Sequence, residues 1–376
     1  MIAVTGLGVI SGLGSGVDAF FGRLCEGASA IAPAIGWRGT GPMAQLPAAL
    51  RPDGPQLTSA LALAAVRQAV EGYPAPDTLA VIGASTSGDM RPGEAAFASD
   101  LGGETLADPL DYHWRQLCHR PTQVVCRALN TRGLRATLST ACTSGACAIG
   151  LASELVRTGQ APAAVAFGAD ALCQITVHGF HSLGVHAANP CRPFDRDRDG
   201  MNLGEGAGAL LLEPLEAALA RGARPLALIG GYGNTSDAHH LTAPDPSGHG
   251  ARAAIRQALG DLPASAVGYV SAHATGTPLN DAMEAAALST ELPDAAISGI
   301  KGAVGHTLGA AGTIETVATV LALDRGRLPP NTGLRTPGFQ LDLVESARDV
   351  NVDAAITVNF AFGGNNAALL VRRWTG

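Results

Sequence analysis

Three side chains far apart in the chain, Cys142, His273 and His306, have the types and settings for acyl and carbanion chemistry. Cys142 lies in ATLSTACTSGACAIGLASELV, residues 136–156, which reads as an apolar strand, a small-residue turn and a helix. A thiol at a helix start feels the positive end of the helix dipole and free backbone N–H groups. That setting predicts a lowered thiol pKa and a nucleophilic sulfur. The same N–H groups can stabilise an oxyanion formed when the sulfur attacks a carbonyl carbon. A small buried cysteine that only packs is the alternative. His273 follows the strand-like run YVSA, and His306 follows another strand and stands at a helix start, five residues after Lys301. Catalytic groups favour such strand ends in open α/β sheets.

One thiol and two imidazoles suit a two-step reaction. An acyl group moves from a thioester onto Cys142, and a second substrate then becomes a carbanion beside it. Decarboxylation of a malonyl thioester gives an enolate, and two imidazole N–H donors aimed at its oxygen would stabilise it by roughly 3 kcal/mol each. Lys301 would orient or polarise this cluster, with Glu315 and Glu284 as carboxylate partners that keep it charged. Near the C-terminus, Phe362-Gly363-Gly364 forms a turn between two strand-like runs, where backbone can approach a ligand and supply another N–H. An ordinary hairpin is the alternative there.

These residues need elements to position them. Short apolar runs alternate with Ala-rich helical stretches. Strands are predicted over Ile2–Val4, Leu79–Gly83, Ala136–Ser139, Ala164–Phe167 and Ala209–Glu213. A second set covers Leu226–Gly231, Tyr269–Ala272, Ala296–Gly299, Ala355–Asn359 and Ala368–Val371. Helices are predicted over Leu57–Glu71, Cys147–Thr158, Gly250–Leu259, Met283–Thr290 and Gly312–Arg325. This alternation predicts βαβ units with buried strands; residues 85–125 read as an irregular surface insertion. The halves also resemble each other. CTSGA (142–146) matches HTLGA (306–310), and VIGASTSG (81–88) resembles VSAHATG (270–276). A duplication is therefore predicted, with residues 1–222 carrying the nucleophile and 223–376 the two histidines. It would place Cys142 and His306 at equivalent helix starts across a pseudo-twofold axis.

The motifs CTSGA, HATGTPLND, KGAVGH and NFAFGGNN occur in the order found in β-ketoacyl-acyl carrier protein synthases of the thiolase superfamily. CRPFDRDRDGMNLGEGAGALLLE (191–213) is similar to a further segment of that family. The resemblance covers essentially the whole chain. It implies a duplicated thiolase fold in a five-layered αβαβα arrangement, and a dimer. It implies that Cys142 accepts the acyl group and that His273 and His306 complete a Cys–His–His triad. Lys301 would accompany them, with Glu315 as partner and Asp281 and Glu284 at acidic positions after the first histidine. Thr275 and Thr277 would contact a phosphopantetheine arm. The N–H groups of Cys142 and Phe362 would form the oxyanion hole, with Phe362, Gly363 and Gly364 as the gate. The implied partners are acyl carrier protein, which brings its own phosphopantetheine, and a second copy or a related ketosynthase-like chain. No bound cofactor is implied. The family commonly has glycine where this chain has Ala274 and Ala361, and Thr or His where it has Asn365; a methyl there narrows the allowed backbone angles. These departures suggest a specialised member, for example one building polyketide or aryl-polyene chains.

Other readings fit less well. A degradative thiolase uses a second cysteine near the C-terminus, and the last cysteine here is Cys191. A chain-length-factor-like subunit typically lacks the nucleophile. DRDRDG (195–200) imitates a calcium loop, but its twelfth position is Gly206 rather than a bidentate Glu. No histidine or cysteine group has zinc spacing, so no metal site is expected. At −7 net charge the chain is no general nucleic-acid binder. No stretch reaches the roughly 20 apolar residues of a membrane span. Seven cysteines without a framework spacing suggest free thiols and a reducing cytoplasm.

Overall fold

The computed structural model describes residues 1–37, 40–52, 54, 56–103 and 113–376. Ten main strands form two sets. The first set is β1 (Ile2–Ser11), β2 (Ala80–Ala84), β3 (Arg135–Leu138), β4 (Ala164–Asp170) and β5 (Gly206–Pro214). The second is β6 (Ala227–Ser236), β7 (Tyr269–Ser271), β8 (Ala296–Ser298), β9 (Ala354–Phe360) and β10 (Asn365–Arg373). Each predicted strand has its counterpart here, most of them longer than the apolar run that announced them. The first set is ordered β3-β2-β4-β5-β1 and the second β8-β7-β9-β10-β6. In both, the first three strands are parallel and the last two antiparallel. Identical order and polarity are the mark of a duplicated unit. The two sets meet where β1 runs antiparallel to β6, pairing Ile2 with Ile229, Ala3 with Leu228 and Val4 with Ala227. The proposed division at 222/223 falls between β5 and β6.

Strands flanked by helices on both faces must be apolar on both faces, and β2, β4 and β9 are buried throughout. The helices that layer against these strands and carry the site include α1 (Leu57–Ala69), α2 (Met90–Leu101), α3 (Arg120–Ala128), α4 (Ser144–Arg157), α5 (Gln174–Ser182), α6 (His249–Leu259), α7 (Pro278–Glu291) and α8 (Ala311–Arg325). Outer helices α1 and α3 cover the first strand set through Leu61, Val66 and Val125 against Val81, Phe167 and Leu211. On the opposite side, α6 and α7 cover the second set through Ile255 and Leu288 against Val270, Ile356 and Val358. Between the sets lie α4 and α8, whose Ile149, Ala152, Ile314 and Val317 join Ile82, Leu210 and Leu369 in one core. These are the five layers. A helix predicted to span 147–158 starts three residues earlier, at Ser144, because the small residues after Cys142 wind directly into it. Residues 85–125 are more regular than expected, since α2 and the start of α3 lie there, and α3 buries Val125 and Cys126. Part of that predicted insertion, 104–112, lies outside the described residues.

The helices α4 and α8 cross at two glycines. A Cβ on Gly145 would stand 2.7 Å from the backbone N of Thr313, and one on Gly312 would press closer still on the backbone N of Ala146. These reciprocal contacts set the internal register. Ala141 and Leu308, both left-handed with φ of 53° and 55°, open the one-turn 3₁₀ segments Ala141–Thr143 and Leu308–Ala310. The counterpart of Cys142 is therefore Gly309, not His306. The short identity between CTSGA and HTLGA is offset from the structural repeat by three residues, and His306 reaches the site from the segment before the turn.

Candidate active site

Cys142, His273 and His306 line one cavity of about 260 Å³. The Cys142 sulfur lies 3.0 Å from His306 Nε2. The rings of His273 and His306 are edge to face, 5.3 Å between centroids. His306 Nδ1 accepts the backbone N–H of Leu308 at 3.3 Å. His273 Nδ1 faces the Lys301 Nζ at 3.1 Å. A nitrogen that accepts carries no proton, so these partners leave the proton of each neutral ring on Nε2. Burial, with Lys301 adding to it, holds both imidazoles well below the usual histidine range, so they stay uncharged at neutral pH.

Lys301, the sole lysine in the chain, is 1% exposed. It pairs with Glu315 Oε1 and donates to the His273 carbonyl at 2.5 Å. Asn359 Nδ2 holds the other Glu315 oxygen at 2.5 Å. Glu284, expected as a second partner of the lysine, instead accepts the backbone N–H groups of His273 (2.6 Å) and Ala274 (2.7 Å). It sits on α7 directly under the end of β7, so its oxygens reach the orphan N–H groups there rather than the ammonium. It thereby fixes a backbone that turns left-handed at Ala274, φ 43°. Burial, then the neighbouring Asp281, pushes the Glu284 carboxyl up to about 8. Asp281 binds the N–H groups of Phe194 and Gly276 and lies 3.7 Å from Arg198.

The thiol differs from expectation. Burial pushes Cys142 up to about 12, although Lys301 and the N–H of Phe362 pull it down. Desolvation of a sulfur anion outweighs the helix start. The Phe362 N–H thus faces the region of the sulfur. The Phe362 ring stacks on Phe180, 5.5 Å between centroids and 15° between planes. Gly363 and Gly364 have φ of 88° and 79°, which only glycine adopts at little cost. Gly363 donates to Leu241 O, and Asp237 donates to Gly364 O, so the turn is tied to the 237–241 segment. Thr275 and Thr277 line the cavity, with their hydroxyls 2.9 Å apart. Asn365 points elsewhere: it accepts from Thr143 Oγ1 at 2.7 Å and from Asn234 Nδ2 at 3.1 Å.

Of the remaining histidines, His178 bonds Gln174 on its own helix, and α5 gives the cavity Phe180 rather than an imidazole. In DRDRDG, Asp195 accepts backbone N–H groups of Asp197, Arg335 and Thr336, which is a turn and not a cation loop. Sequence reasoning missed Asn280, which bridges Asp281 and Glu284, and Asn359. It also missed Asp170, a carboxylate ending an apolar strand, which was itself a signal.

Two family models match the chain: β-ketoacyl synthase, N-terminal domain, over residues 60–218, and β-ketoacyl synthase, C-terminal domain, over 226–335. The 3-oxoacyl-(acyl-carrier-protein) synthase 2 of Synechocystis sp. is 41% identical over 262 residues. That match takes in 65% of this chain and 63% of the relative, so the matched part spans less than two thirds of the curated protein. Among solved structures, the ishigamide ketosynthase/chain length factor superposes with a TM-score of 0.91 at 32% identity, covering 100% of this chain and 99% of that one. A type II PKS ketosynthase, bound to the hexaketide and in complex with its acyl-carrier protein, superposes with a TM-score of 0.90 at 25% identity, with 99% of each covered. Among the described residues no helix is long and apolar enough to cross a membrane.

Proposed function

The chain belongs to the β-ketoacyl synthase family, and from that premise we propose that it catalyses a decarboxylating Claisen condensation. An acyl thioester would be joined to malonyl-acyl carrier protein to give a β-ketoacyl-acyl carrier protein in fatty-acid or polyketide chain elongation. The observation that carries the reading is the set of Nε2–H donors: two neutral imidazoles beside one sulfur, each with its Nδ1 already engaged.

In the first step the Cys142 sulfur bonds to the acyl carbon, the carbon–sulfur bond to the carrier breaks, and the thiol proton ends on the departing pantetheine sulfur. A thiol held near 12 is not ionised in advance, so proton loss accompanies attack. The N–H of Phe362, with that of Cys142, serves the oxyanion. In the second step the malonyl carboxylate leaves as CO₂, and its electron pair forms an enolate whose oxygen receives the two Nε2–H groups. The enolate carbon then attacks the acyl carbon, the bond to Cys142 breaks, and the sulfur takes up one proton from water. The Lys301–Glu315 pair holds His273 in its donor form. Thr275 and Thr277 hold the pantetheine arm, and the Phe362 turn gates the pocket. The reaction as written needs no resident cofactor, because loss of CO₂ drives carbanion formation and the carrier brings the pantetheine.

Carrier protein is the proposed partner, and the cytoplasm the proposed location. Assembly with a related chain is a second reading, favoured by the likeness to the ketosynthase/chain length factor structure; this chain, which has Cys142, would be the active half. Intact-protein mass spectrometry after incubation with a panel of acyl carrier thioesters tests the proposal and reports the primer. An adduct on Cys142 that is absent from Cys142→Ala is expected. His273→Ala and His306→Ala should each lose CO₂ release from malonyl carrier. No adduct with any carrier, or normal CO₂ release by both variants, sinks the reading.

A further inference from the structure

We propose that Asp170 is a positioning residue that braces the two left-handed turns beside Cys142 and His306 and so sets these side chains against one another. Asp170 ends β4 and is fully buried. Its Oδ1 accepts from Ser85 Oγ (2.7 Å), Ser87 N (3.0 Å) and Ser87 Oγ (2.9 Å). Its Oδ2 accepts from Thr86 N (2.9 Å) and Gly309 N (2.7 Å). Two of these donors lead to the reacting atoms. Gly309 follows Leu308, whose left-handed backbone presents its N–H to His306 Nδ1. Thr86, held by its N–H, gives its hydroxyl to the carbonyl of Ala141 at 3.4 Å, and Ala141 is the left-handed residue before Cys142.

Non-glycine residues keep such angles only where their surroundings over-determine them. Here one carboxylate of the first half supplies that constraint to both halves. The fit at the second turn is closed: a Cβ on Gly309 would stand 2.7 Å from Asp170 Oδ2 and 2.8 Å from Thr86 N. A shift of either turn would change the 3.0 Å approach of sulfur and imidazole. Asp170 touches no reacting atom in the mechanism above. Its charge still reaches the sulfur: burial is the main cause of the raised Cys142 thiol, Lys301 lowers it, and the charges of Asp170 and Glu315 raise it further.

For turnover this rests on the condensing role proposed above; for the reactivity of the sulfur it does not. In Asp170→Asn an amide N–H₂ replaces one acceptor and faces the N–H of Thr86 or Gly309. The kcat for condensation should fall on the order of 10²-fold, as for small misplacements of reacting groups, with KM for malonyl carrier within about twofold. Alkylation of Cys142 by iodoacetamide should shift to lower pH. An unchanged kcat with an unchanged alkylation profile overturns the assignment. So does a kcat that falls only in step with melting temperature while the profile stays put, since that marks a merely structural residue. Absence of condensation in the wild-type protein would remove the condensing role, and the alkylation profile would still decide for or against Asp170. Should Asp170→Asn not fold, Ser87→Ala takes one hydroxyl from the carboxylate: lowered kcat at constant KM supports the brace, and wild-type kcat overturns it.

Discussion

Cys142 is held as a thiol against the neutral imidazole of His306, and that state has a measurable consequence. With the sulfur pushed up to about 12 by burial, the thiolate fraction grows about tenfold per pH unit below that value. The rate of Cys142 alkylation by iodoacetamide should therefore still be climbing at about pH 10, where a free cysteine has levelled off near its ordinary pKa of about 8.5. A plateau near pH 7 would show instead that the helix start governs. The residue types of the site were legible in the sequence because nucleophile, imidazoles and lysine each stand at a strand-to-helix junction. Their ionisation was not. The helix start argued for a low thiol pKa, but desolvation depends on neighbours distant in the chain, and no local pattern displays it. Glu284 was misassigned for a related reason: spacing places a carboxylate near the lysine, while the unsatisfied N–H groups of His273 and Ala274 lie closer.

Among the elements, α7 is tied to β7 through Glu284, whose carboxyl is raised to about 8. Between its ordinary 4.5 and about 8, the folded protein binds a proton that the unfolded chain has lost, so this group's contribution to stability falls as pH rises through that window. The neutral His273 and His306 act oppositely below their ordinary value of 6.5. Comparing wild type with Glu284→Gln at each pH isolates the carboxyl. Gln offers fewer acceptors, so the variant should be less stable overall, but its melting temperature should decline less from pH 5 to pH 8. Equal slopes for the two proteins would refute the assignment. The α4–α8 crossing makes a second demand. In Gly312→Ala the new methyl meets the backbone of Ala146, which cannot yield as a side chain would. A loss of about 1–3 kcal/mol is expected in denaturant unfolding, and a loss below about 0.5 kcal/mol would mean that the helices slide apart freely. The strands and helices were readable from apolar runs, since doubly covered strands have nowhere to place polar residues. The register of the repeat was not, because three identities in five outweighed the backbone angles that only coordinates give.

At the scale of the whole molecule, two copies of one unit are fused through β1 and β6, with α4 and α8 sealed between them. Each half then contributes to the site what the other lacks, sulfur from one and imidazoles from the other. A family assignment was reachable from motif order alone, because those motifs sit at the strand ends that the duplication brings together. A paired assembly was implied by the resemblance, but the choice between a second copy and a related chain was not reachable, since no sequence pattern names the partner. Size-exclusion chromatography with mass measurement, alone and with a neighbouring related chain, should give a dimer in one of the two conditions; a monomer in both would remove the proposed assembly. The seclusion of Lys301 reaches beyond catalysis. All other cationic side chains in this protein are guanidinium groups, so amine-directed cross-linkers and reductive methylation find no ε-amine at the surface. An isotope placed in lysine alone would yield a single ε-nitrogen resonance, a built-in reporter of the site in every bound state.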